Sequence, residues 1–145
     1  VAAISSQVSV LQGAGVQHIL VNGVGDVGGI PETLGLSLAA QADRRALSIN
    51  LSTQLFAALD SSIYTLDVVG FFDQVNLDPT LFGLPAGIDV TGSCLTTGTP
   101  PNCGEEFAFF DTVHLALLAS DGLWSNLGFV PLNALASIRV TKLAP

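Results

Sequence analysis

Asp111 and His114 stand three residues apart in "EEFAFFDTVHLALLAS", residues 105–120, between two apolar runs. An acid and a histidine at that spacing serve either of two ends. In one, Asp111 caps a helix, its carboxylate accepting the free N–H groups of a first turn that carries His114. In the other, the carboxylate accepts the imidazole Nδ1–H, fixes the tautomer and stabilises an imidazolium, leaving Nε2 to take a proton from a nucleophile. Residue types and spacing leave both open. No G-x-S-x-G elbow occurs in the chain to present a serine.

Other groups with chemical potential are few. His18 is the second of two histidines and lies at the start of a strand-like run, where it reads as structural. Two histidines so far apart in the chain do not suggest a metal centre. "GVGDVGG" (23–29) puts glycines after that run, as an anion-binding loop does, but lacks the G-x-G-x-x-G spacing and the lysine of a phosphate loop. It reads as a demanding strand-to-helix connection. Cys94 and Cys103, with eight residues between them, flank a loop rich in Gly, Pro and Thr. Without Cys-x-x-Cys spacing or adjacent histidine they read as a local disulfide clip, which points to an exported protein. No metal and no cofactor is expected.

Positioning such groups requires a folded frame, and 145 residues suffice for one domain. Apolar residues make up 49% against 11% charged, which excludes a disordered or coiled-coil chain. The net charge of −8 repels nucleic acid and anionic membrane surfaces, and no basic patch offsets it. The N-terminal stretch lacks the basic region of a signal peptide, and the uncharged stretch 122–138 is too polar to span a bilayer.

Apolar spacing predicts a helix over 2–13, ended by "GAG", then a strand in 16–23 closed by Asn-Gly. One long helix or two abutting ones should occupy 34–59, with Leu47, Leu51, Leu55 and Ala58 as its apolar stripe. "SIYTLDV" (62–68) reads as a second strand and "VGFFDQVNLDP" (69–79) as a short helix stopped before Pro79. Residues 79–104 hold four of the seven prolines and read as a long irregular loop. A last helix should follow Asp111, and 129–145 form a tail with no assigned structure. Alternation of helices and strands implies an α/β class with a doubly wound parallel sheet. Two strands are too few for such a sheet, so the chain reads like half of a fold.

Several segments taken together resemble one family. "FAFFDTVHLALLAS" resembles the last block of the SGNH, or GDSL-type, esterases and lipases, in which D-x-x-H follows an aromatic pair. "GAGVQHILVNGVGDVGGIPE" resembles the stretch after that family's block-III Asn, and "SIYTLDVVGFFDQVNLDPTLFGL" its next strand-and-helix unit. A cysteine-flanked loop before D-x-x-H is also common among exported bacterial members. The likeness covers residues 1–128 in the family's order. It departs at Leu115 and Ala116, where the family often has Pro and Thr, and at "NGVGD" in place of "NLPD".

The resemblance implies the C-terminal part of a flavodoxin-like SGNH hydrolase sheet with flanking helices, and a secreted, periplasmic or cell-surface ester hydrolase of bacterial type. His114 is then the general base and Asp111 its orienting acid, with a small-molecule or lipid ester as substrate. The family's G-D-S nucleophile block and oxyanion donors are absent from these residues, so the chain alone should be inactive. It should need the N-terminal half of the same domain, or pair as a dimer or swapped form. Two other readings stand beside this one: a non-catalytic interaction fragment that needs a partner chain, and a nucleotide-binding α/β module.

Overall fold

A computed structural model of the chain describes residues 1–96 and 106–114 and the backbone of 140–142. The first helix, α1 (Ala2–Gly13), ends where Gly15 adopts φ +88°, which only glycine takes without strain. Of its apolar residues Val8 is buried, while Ile4 and Leu11 are nearly half exposed. Strand β1 (Leu20–Asn22) follows, then a short helix α2 (Pro31–Leu34) with proline in its first turn. The long helix α3 (Leu38–Ala57) is capped by Ser37, whose hydroxyl accepts the Ala40 N–H. Strand β2 (Tyr64–Leu66) leads into α4 (Val68–Leu77), capped by Asp67 through the Gly70 N–H.

β1 and β2 pair in parallel, Val21 opposite Thr65, as helical connections between strands require. The expected sheet is nevertheless not uniformly parallel. On the other side of β2, β5 (Val140–Lys142) pairs antiparallel, so part of the tail completes a three-stranded sheet. The segment read as an irregular loop is also structured. A 3₁₀ turn (Pro79–Phe82) closes at Gly83 with φ +73°, and β3 (Asp89–Ser93) pairs in parallel with β4 (Phe107–Phe109). Prolines hid this strand: the run Ile88–Ser93 is short and follows closely on Pro79 and Pro85. The architecture is mixed α/β with two small sheets.

One core joins β2, α4, the 3₁₀ turn and β4 through Leu66, Phe71, Val75, Phe82, Ala108 and Phe109. A second joins α1, β1, α3 and the start of β2 through Val8, Ile19, Val21, Leu55 and Ile63. Of the apolar stripe expected on α3, Leu55 is buried as expected, but Leu47 and Leu51 are not. Leu47 is 58% exposed and Leu51 46%, while Ser48, Ser52 and Leu55 face inward. Among the described residues no helix is long and apolar enough to cross a membrane.

Candidate active site

The loop carrying Asp111 and His114 emerges directly from β4, so the buried strand Phe107–Phe109 fixes where it starts. Phe110 is tied on both sides: its carbonyl accepts the Leu95 N–H at 3.0 Å, and its N–H donates to the His114 carbonyl at 2.8 Å. The Glu32 N–H, at the start of α2, donates to the Thr112 carbonyl at 3.0 Å. Three backbone bonds therefore hold a five-residue loop that has few buried side chains of its own.

Within the loop, Asp111 Oδ1 accepts the N–H groups of Val113 (2.8 Å) and His114 (2.6 Å). Its Oδ2 lies 2.8 Å from His114 Nδ1. One Asp111 oxygen thus holds the turn and the other the imidazole; residues 112–114 are bends, so the helix turn that Asp111 was expected to cap is not formed there. The backbone N–H of His114, then that of Val113, and then the His114 ring lower the Asp111 pKa from its ordinary 3.8 to about 2. An ionised carboxylate only accepts, so the proton of this contact sits on Nδ1. The neutral imidazole then has its lone pair on Nε2, which makes no hydrogen bond among the described residues. The His114 side chain is 77% exposed. The chemistry available is that of a general base with its tautomer fixed.

The glycine-rich loop between β1 and α2 does different work. Its Val24 and Val27 N–H groups donate to the Ser52 and Ser48 hydroxyls of α3, at 2.8 and 3.2 Å. Its Gly28 N–H donates to Asp26 Oδ1 at 2.9 Å and its Gly29 N–H to the Asp26 carbonyl at 3.1 Å. These amides are committed to the protein itself and form no open cradle for an anion. Asp26 is buried and paired with Arg45, which also binds Asp73 of α4 at 2.6 Å. This clamp was not legible as a site; the serine pair at i, i+4 and the "DRR" run were its only signals.

His18 is exposed and lies before β1. Cys94 is fully buried at the end of β3, whereas Cys103 lies outside the described residues, as do the helix expected after Asp111 from residue 115 onward and most of the tail. Among the described residues no group of three or more His, Cys, Asp or Glu side chains is placed to hold a metal ion. Compared with known proteins, the chain matches no family model and no curated sequence.

Proposed function

We propose that these residues form the acid–base portion of a serine ester hydrolase of the SGNH type, with the nucleophile supplied by a segment outside them. The observation that carries this reading is the bond from His114 Nδ1 to an Asp111 carboxylate held near pKa 2. It pairs a fixed tautomer with a basic Nε2. His114 takes the proton of a serine hydroxyl as that oxygen attacks the acyl carbonyl, then returns it to the leaving alcohol. Asp111 keeps the ring oriented and stabilises the imidazolium between the two steps. The parallel pairs β1–β2 and β3–β4 support placing the chain in the C-terminal part of a doubly wound sheet. Its partners are then an ester substrate and the serine-bearing half of the same domain, at the cell surface, in the periplasm or secreted.

Labelling with a fluorophosphonate, which reacts with activated serines, tests the division of labour. The protein with its nucleophile-bearing segment should be labelled on one serine, and the 145-residue chain should not. Labelling of a serine within these residues would overturn the placement of the nucleophile.

A second reading, a non-catalytic interaction fragment, draws support from exposed apolar residues on α1 and α3: Val10 is 60% exposed and Leu38 82%. Failure of any esterase assay, with tight association to a second chain on sizing, favours that reading.

A further inference from the structure

A cavity of 230 Å³ opens beside the Asp111–His114 loop. Its apolar walls come from five separate segments: Ile30 before α2, Val68 and Phe72 of α4, Val90 of β3, Phe109 of β4, and Val113 of the loop itself. Ile30, Phe72 and Val90 pack against the main core on one side only and stay partly exposed on the other. Phe72 and Phe109, both lining the cavity, lie nearly parallel, 14° apart with centroids 6.2 Å apart. Asp26 also borders it, but each of its oxygens is already bonded, one to the Gly28 N–H and one to Arg45.

The walls are mostly apolar, with Asn76 of α4 and the bonded Asp26 as the polar side chains that line them; such walls favour hydrocarbon over water, and a cavity of about 150 Å³ already holds benzene. This one holds an aliphatic chain of about four to six carbons. Val113 precedes His114, so their Cα atoms are about 3.8 Å apart. Val113 thus places one wall of the cavity on the segment that carries the imidazole. The net charge of −8 favours a neutral ester over a free carboxylate.

We propose that this cavity is an acyl site that selects short-chain esters. The fate of the bound ester rests on the esterase reading above; its binding does not. Methyl-resolved NMR of the protein, titrated separately with methyl butanoate and methyl decanoate, tests the proposal without requiring turnover. Methyl butanoate should shift Ile30, Val90 and Val113 saturably, and methyl decanoate should bind at least tenfold more weakly. Val113 is 44% exposed, so Val113→Phe should leave the fold intact while narrowing the cavity and weakening butanoate binding at least tenfold. Phe72→Ala should shift preference toward the longer ester. No saturable shift at these residues, equal affinity for both esters, or butanoate binding unchanged in Val113→Phe would overturn it. Because hydrolysis is not the readout, binding without turnover in the serine-bearing protein would instead count against the esterase reading alone.

Discussion

Asp111 makes three hydrogen bonds with two oxygens, and their division decides what a substitution there does. Asn at this position can keep Oδ1 and the turn, but it presents an NH₂ group to Nδ1. The ring must then accept at Nδ1 and carry its proton on Nε2, the wrong end for a base. In the serine-bearing enzyme, Asp111→Asn should lower kcat by about 10²–10⁴ with little change in KM. Asp111→Ala should also loosen the loop. The folded pKa of about 2 lies below the ordinary 3.8, so the carboxylate's contribution to loop order is complete above about pH 4 and is lost on acidification toward 2. A carboxyl NMR titration should give Asp111 a midpoint near 2, and a midpoint near 4 would contradict the bonding described. The sequence exposed this pair because three-residue spacing is visible in any chain. It could not show that one side chain both holds the turn and orients the ring, because that depends on the two oxygens being used separately.

At the scale of elements, α3 is bound to the β1–α2 loop by polar groups where the sequence promised leucines. Ser48 and Ser52 sit one position beyond Leu47 and Leu51, and their hydroxyls accept loop N–H groups while donating back to α3 carbonyls. Counting apolar residues finds a stripe but not which neighbour the helix meets. Gly28 shows how close that approach is. A Cβ there would lie 2.2 Å from the Gln41 carbonyl oxygen and 2.8 Å from the Arg45 nitrogen, both backbone atoms. Gly28→Ala should therefore destabilise by about 2 kcal/mol or more, read from the urea midpoint. Arg45→Met removes the partner of buried Asp26. Because Arg45 is itself 37% exposed, the loss should be about 1–2 kcal/mol and not the full penalty of a buried pair. Strand β3 escaped the sequence because Pro79 and Pro85 precede it, although Ile88, Val90 and Thr91 are β-formers.

For the whole molecule, the parallel pairing of β1 with β2 followed from helices lying between strands, whereas the antiparallel β5 came from a stretch with no legible period. Cys94, buried at the end of β3, is the described half of the proposed clip on the segment leading to β4. Alkylation in denaturant without reductant should leave both cysteines unmodified, and reduction should expose both. Two adducts before reduction would remove the clip and the argument for export that rests on it. Under the proposed function His114 acts as the base in ester hydrolysis. The most direct test is steady-state hydrolysis of p-nitrophenyl butyrate by the serine-bearing protein and by its His114→Ala variant. In the variant kcat should fall by about 10³-fold or more with KM nearly unchanged. Equal kcat in the two proteins would contradict that role.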